Sequence, residues 1–335
     1  MEKLLFGQIN KSNVYKYTIA KGNVSADFID YGARIQSLRY CGRDIVIGYN
    51  TLTEYENCNG YVGATIGRYA NRIGDAKFLL NGKQYNLSVN EKSDCNHGGI
   101  NGFDRKIWDA KCFDDKIEFT YFSVDGEEGF PGNLQVKVTY SITEDDSLQI
   151  EYNAVSDADT VINLTNHAYF NIDGENSGDI YDTELFINAK NIIDVNDRLI
   201  ANGKMRSIDS TEGDFTRFKK IGNYFESNDE LVRKFGGYDF CYVLEGSGFR
   251  KVAEARSNKS RVALEVYTDR EGMQLYTETF LDGKIGKTCV YKKGCSFCLE
   301  TQSFINAVNC PEFPSTILKK GKLFNSVTEY KLKRI

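Results

Sequence analysis

The chain predicts an all-β protein, a large antiparallel β-sandwich, and three observations carry that expectation. Short runs with period-two alternation recur from end to end, each bounded by turn residues. Helical periodicity is scarce; only Phe225–Phe235 offers a turn or two. The three prolines, Pro131, Pro311 and Pro314, fall in loop-like sequence and leave the strands free to pair. Strands and helices do not alternate in the βαβ manner that a parallel sheet needs.

Five hairpins can be read in order. Val14–Ile19 and Val24–Ile29 flank a turn at Ala20–Asn23. Phe78–Leu80 and Gln84–Leu87 flank Asn81-Gly82, a strong hairpin signal because both residues accept positive φ. Lys111–Phe113 and Lys116–Phe122 flank Asp114-Asp115. Gln135–Ile142 and Leu148–Val155 flank Glu144–Ser147, and Val252–Ala255 and Arg261–Tyr267 flank Ser257–Ser260. Longer irregular stretches are expected at Asn57–Asn71, Val89–Arg105, Asp125–Leu134 and Asn188–Phe215, and such segments carry function disproportionately. No linker, low-complexity tract or fixed-period repeat divides the chain, so residues 1–335 are expected to form a single domain.

Composition excludes several classes. A net charge of −5 with no basic block argues against nucleic-acid and membrane-surface partners. The first residues, MEKLLFGQINK, have too short an apolar run for a secretion signal, and no segment is long enough to span a bilayer. The nine cysteines, an odd number with one unpartnered CxxC at Cys295 and Cys298, read as free thiols of a cytoplasmic protein. There is no GxGxxG after a strand, no GxxxxGK[ST] and no GxSxG.

The candidate chemistry centres on Val161–Asp173. Read as a strand, it places Val161, Asn163, Thr165, His167 and Tyr169 on one face, a poor core layer ending in one of only two histidines. Near the C-terminus, Cys298, Glu300 and Gln302 share the polar face of Phe297–Gln302. A histidine and a glutamate on two such faces are an acid–base pair for neutral pH. Lesser candidates surround them: His97 before Gly98-Gly99, Arg72 with its rigid fork of donors beside Asn71, Asp239 opening a strand, and Gln274 within one. The absence of HxH or HxxxH, and the distance between the histidines in sequence, speak against a metal.

Taken together, the motifs resemble the aldose 1-epimerase (galactose mutarotase) family. They are GRYANRI at Gly67–Ile73, NHGG at Asn96–Gly99, DGEEGFPG at Asp125–Gly132 and LTNHAYFNIDG at Leu164–Gly174. GGYDF at Gly236–Phe240, MQLYT at Met273–Thr277, FLDG at Phe280–Gly283, FCLETQ at Phe297–Gln302 and AVNCPEFPS at Ala307–Ser315 complete the set over nearly the full chain. The resemblance implies a β-sandwich of galactose mutarotase type that interconverts the α and β anomers of free aldohexoses without cofactor or metal. It implies Glu300 as general base and His167 as general acid. Asn71, Arg72, His97, Asp239 and Gln274 are then expected to grip sugar hydroxyls, with Tyr169 added from its place beside His167. Two departures, Ala201 where relatives carry proline and Tyr291–Cys295 where many carry a Pro-Lys-His type sequence, bear on loop shape and substrate preference.

The expected partner is a small aldohexose, bound by a monomer or homodimer. For the acid to work near neutrality the histidine pKa is expected to rise, with Asp239 as the neighbouring charge that raises it. A bell-shaped pH profile would follow, glutamate on its acid limb and histidine on its alkaline limb. Rival readings are a hexose-6-phosphate 1-epimerase using Lys292 or Lys293, a carbohydrate-binding protein without turnover, and a glycoside hydrolase pairing Glu300 with Asp239.

Overall fold

The computed structural model describes residues 2–58 and 60–335. Its main layer is a nine-stranded antiparallel sheet. In spatial order the strands are Asp109–Cys112, Lys116–Ser123, Leu134–Ile142, Ser147–Ser156, Leu323–Arg334, Val262–Thr268, Arg250–Ser257, Glu184–Ile187 and Lys219–Lys220. Two five-stranded sheets cover it. One is a meander of the N-terminal 44 residues. The other runs Ala201–Ser207, Ala189–Val195, Asp239–Leu244, Gly272–Thr277, Phe297–Gln302. All five expected hairpins pair antiparallel, as Lys21 with Val24 and Leu80 with Lys83 illustrate.

Alternation explains why these sequences make layers. In Leu134–Ile142 the residues Val136, Val138, Tyr140 and Ile142 are buried, while Gln135 and Lys137 lie on the outer face. One apolar core contains Phe28 and Ile35 of the N-terminal sheet, Phe119 and Val138 of the large sheet, and Met273 and Leu299 of the third. The Phe28 and Tyr140 rings lie 4.6 Å apart across the first interface. Across the second, the Tyr330 hydroxyl donates to the Leu299 carbonyl at 2.9 Å. Each such inward side chain contributes about 1.5–3 kcal/mol of burial.

Three sequence expectations need correction. Asn188–Phe215 is not irregular: it holds the strands Ala189–Val195 and Ala201–Ser207. Their polar, weakly alternating residues hid them. Besides the expected helix, seen as Glu230–Phe235, a short one spans Leu52–Glu56, started by a reciprocal capping box between Thr51 and Glu54. Val161–Asp173 is not a continuous strand either. Thr160–Val161 and Thr165–Asn166 pair as short strands, with Leu318–Ile317 and with Ile66–Thr65 respectively, and Asn163 and Phe170 make isolated bridges. The alternation persists through this broken path: Ile162, Leu164, Ala168 and Phe170 enter the main core, and the odd positions point elsewhere. Among the described residues no helix is long and apolar enough to cross a membrane, and all nine cysteines are unbonded.

Candidate active site

The floor of the site is one face of the third sheet. Gln274 stands opposite both Glu300 and Cys241, and Asp239 stands opposite Tyr276. Residues directly opposite share a face, so Asp239, Gln274, Tyr276, Cys298 and Glu300 all project to the side away from the main core. Phe240, Met273, Leu275, Phe297 and Leu299 fill the core side. This two-sided division is what holds the carboxylates still.

The walls are loops pinned to that floor. Phe170 exchanges two backbone hydrogen bonds with Phe297, of 2.7 and 3.0 Å, fixing His167 beside the strand that carries Glu300. The His167 main chain is held again by Gly63 and Ala64, at 2.9 Å each. Arg68 belongs to this framework and not to the site. Its guanidinium is buried and donates to Ser123 and to the carbonyls of Val124 and Pro131, tying GRYANRI to DGEEGFPG. Gly98 has φ +88°, and a Cβ there would lie 2.0 Å from the Gly67 carbonyl oxygen, so only glycine lets the His97 loop close on that segment.

The result is a cavity of about 240 Å³ lined by all eight candidate residues: Asn71, Arg72, His97, His167, Tyr169, Asp239, Gln274 and Glu300. His167 Nε2 lies 3.5 Å from Glu300 Oε1, and Glu300 Oε2 is buried with no hydrogen-bond partner. Asn71 Nδ2 donates to Gln274 Oε1 at 3.2 Å, and Gln274 Nε2 donates in turn to Asp239. The fork of Arg72 grips Glu91 through Nε at 2.8 Å and Nη2 at 3.0 Å. Asn71 and His97 both have positive φ, 63° and 51°, the kind of backbone strain that clusters at functional sites.

Tyr169 lines the cavity and also braces it. Its hydroxyl donates to the Gly60 carbonyl at 2.6 Å and its ring stacks on His167, centroids 4.9 Å apart. Tyr61 flanks the other side of the His167 ring at 6.0 Å and meets His97 at 4.6 Å. The His167 ring is thus flanked by two aromatic rings.

Burial governs the electrostatics. It pushes the His167 pKa down to about 3 and His97 well below the usual imidazole range, the latter helped by His167 and Arg72. It pushes Glu300 well above the carboxylate range, with Asp239 adding to the rise and Arg72 opposing it. Asp239 itself is raised by burial against the opposing pull of Arg72. The expectation that Asp239 would raise His167 is therefore reversed: its charge acts on Glu300, its neighbour on the same sheet face. Burial disfavours the charged form of both facing groups, so they titrate as a coupled pair.

Distance along the chain proved no guide to metal ligation, because donor atoms of His97, His167 and Glu300 lie within 4.8 Å of one another. The donor set nevertheless fits an ion poorly. His97 Nδ1 already accepts the Asn71 backbone N–H at 3.2 Å, so its other nitrogen carries the ring proton. Coordination would have to displace one or the other.

With this geometry in place, relatives can be compared. The aldose 1-epimerase family pattern matches residues 15–331. A galactose mutarotase from Sus scrofa is 37% identical over 334 residues, covering 97% of this chain and 96% of that protein. The chain belongs to the aldose 1-epimerase family. An aldose 1-epimerase from Escherichia coli is 34% identical, with 90% of each chain covered. Among solved structures, an aldose epimerase homologue from C. elegans superposes with a TM-score of 0.88 at 27% identity, covering 96% of this chain and 99% of its own. The galactose 1-epimerase of Lactobacillus acidophilus, at 22% identity, shares the fold with the same TM-score over 99% and 98% of the two chains.

Within this aldose 1-epimerase site, sequence reasoning missed Glu91 and Tyr61. Both sit in the stretches singled out as irregular, without a distinguishing pattern. Cys298 was placed on the correct face but given no role, yet its Sγ lies 3.5 Å from His167 Nδ1.

Proposed function

We propose that the protein is an aldose 1-epimerase that opens and recloses the hemiacetal of free aldohexoses, with Glu300 as general base and His167 as general acid. The observation that supports this most is the carboxyl–imidazole pair, 3.5 Å apart, inside a small cleft that Asn71, Arg72, His97, Asp239 and Gln274 also line. Glu300 takes the proton from the C1 hydroxyl while His167 gives one to the ring oxygen, and the C1–O5 bond breaks to leave an aldehyde. Rotation about C1–C2 exposes the other face, and the two groups act in reverse on closure. Each well-placed acid or base supplies on the order of 10²–10⁴ in rate.

Burial favours one stage of this cycle in particular. Ring opening converts carboxylate plus imidazolium into carboxyl plus neutral imidazole, the distribution that the dry pocket prefers. The opened sugar, unstable in water, is thereby bound when the pair is uncharged and least penalised. Asn71, Arg72, His97 and Asp239 hold hydroxyls away from C1 in this reading, so that both anomers fit.

Arg72 is the one guanidinium or ammonium lining the cleft among the described residues, and Glu91 already pairs with it. Lys292 and Lys293 are exposed and outside the cleft, which favours free hexoses over hexose 6-phosphates. The assembly is a monomer or homodimer, and unpaired cysteines suit a cytoplasmic setting. Polarimetry on freshly dissolved α-D-glucose, α-D-galactose and α-D-glucose 6-phosphate tests the reading. Acceleration is expected for the free sugars; acceleration confined to the phosphate, or binding without acceleration, would refute it.

A further inference from the structure

Arg72 is held in the cleft wall by a carboxylate that belongs to no motif. Its guanidinium donates through Nε at 2.8 Å and Nη2 at 3.0 Å, one bond to each oxygen of Glu91. This is the side-on, two-bond pairing that suits a guanidinium and a carboxylate best. Nη1 makes a longer contact, 3.4 Å, with Asn71 Oδ1. Three of the five N–H groups are thereby engaged, leaving one on each Nη. Among the described residues the Glu91 carboxylate has no other hydrogen-bond partner. The backbone that presents it is fixed. Glu91 and Asp94 exchange main-chain hydrogen bonds of 3.2 and 2.8 Å, and the Asn90 side chain clamps Asn96 by bonds of 2.7 and 2.8 Å. Asn96 in turn stands opposite Arg72 in a short antiparallel pair. With side chains 12% and 38% exposed, the ion pair adds little to stability. Its effect falls on the cleft, which both residues line.

We propose that Glu91 restricts the cleft to uncharged sugars by occupying the Nε–Nη2 edge of Arg72, a positioning residue that acts through the guanidinium. This rests on the reading of the cleft as the sugar site, but it concerns which sugars bind, which can be measured without turnover. A guanidinium grips an anion through two parallel N–H bonds, and here that edge already holds a carboxylate. No second guanidinium or ammonium lines the cleft among the described residues, and its other acidic side chains, Asp239 and Glu300, supply no positive charge. The carboxylate of a hexuronate, or a sugar phosphate, would have to sit beside Glu91 as a like charge or displace it. In a cavity of about 240 Å³ such a group cannot lie far from the pair. A sugar hydroxyl asks for less, since a single donor satisfies it and one remains on each Nη. Glu91 also orders a long, flexible side chain before the sugar arrives, so that binding does not bear that cost. One residue thus favours the uncharged sugar and disfavours its acid.

The test compares D-galactose with D-galacturonate, which share every ring hydroxyl and differ only in the group at C6. NMR titration of the full-length wild type, E91Q and E91D gives Kd for each sugar, and exchange NMR on the equilibrated anomers gives kcat and KM. Wild type should bind galactose the more tightly. Glutamine fills the same volume without charge and turns an N–H group toward one arm of the guanidinium. In E91Q the ratio of the galacturonate Kd to the galactose Kd should fall by about tenfold, the scale of one charge-assisted hydrogen bond. For galactose, KM should rise while kcat holds, because the reacting groups are untouched. E91D, which retains the charge, should keep the wild-type ratio. Salt supplies a readout that needs no variant. At about 1 M NaCl, where screening acts within about 3 Å, wild type should bind galacturonate better than at low salt, and E91Q should lack that gain. An unchanged ratio in E91Q, the result of packing loss that weakens both sugars alike, refutes the proposal. So does a ratio that falls equally in E91D, or a wild type that binds both sugars equally well. Galactose binding without anomer exchange would sink the mutarotase reading and leave the ratio to decide the role of Glu91. Failure of both sugars to bind any of the three proteins would overturn the two together.

Discussion

His167→Asn should remove a pH dependence of stability that the native protein carries. Burial holds this imidazole neutral in the folded state, with its pKa lowered to about 3 from the usual 6.5. The unfolded chain takes up a proton there from about pH 6.5 downward, while the folded one does not until about pH 3. Between those limits the unfolded state binds more protons, so stability rises with pH. The contribution is complete above pH 6.5 and lost on acidification. By pH 4.5 the loss is about 2 pH units, or about 3 kcal/mol, and it grows further toward pH 3. The raised pKa of Glu300 acts in the opposite sense, but both proteins share it and it drops out of their difference to first order. Asparagine cannot protonate. Whatever the substitution costs at pH 7, the gap between wild type and variant should narrow by about 3 kcal/mol on going to pH 4.5. Urea unfolding followed through the single tryptophan, Trp108, which is buried, gives the comparison at each pH. If Asp239 or Glu300 instead stabilised an imidazolium in the folded state, acid would strengthen the wild type and the gap would widen. A constant or widening gap refutes the account of the pocket as hostile to charge.

Three further outcomes follow from the same pair. Glu300→Gln should abolish turnover, with residual kcat above about a tenth of wild type counting against Glu300 as the base. The amide resembles the protonated acid, so this variant should also be more stable than wild type at pH 8, with the advantage vanishing near pH 4 in denaturant titrations. Asp239→Asn removes the charge that helps raise Glu300, so the alkaline limb of kcat/KM against pH should move down; an upward move would show that Asp239 acts otherwise. EDTA should leave the rate unchanged, and activity lost to it and restored by a divalent ion would mean that His97, His167 and Glu300 hold a metal after all.

The bell-shaped profile keeps its form but exchanges its assignments. The working pair has one proton. Acid adds a second, to the imidazole whose affinity burial has weakened; alkali removes the first, from the carboxyl whose affinity burial has strengthened. The acid limb thus belongs to His167 and the alkaline limb to Glu300. Both should lie outside the range of the free side chains, leaving a broad plateau across neutral pH.

What could and could not be read from residue order divides along a physical line. Hairpins were legible because a turn such as Asn81-Gly82 and its flanking alternation are local. The faces of Phe297–Gln302 were legible for the same reason, since a two-residue period needs no knowledge of the neighbouring strand. His167 and Glu300 could be named as candidates from such faces and from motif resemblance. Their protonation could not, because it depends on what surrounds them in three dimensions. Asp239 has opposite effects depending on which member of the pair it faces, and only the register of Asp239–Leu244 against Gly272–Thr277 and Phe297–Gln302 reveals that it sides with Glu300. The histidines, 70 residues apart in the chain, have ring centroids 5.3 Å apart because Gly98 lets one loop close against Gly67. Glu91 escaped notice because an acidic residue in a polar loop carries no mark until Arg72 reaches it. Residue types announce which proton-transfer groups a chain possesses. The low dielectric around them decides which charged forms the fold tolerates.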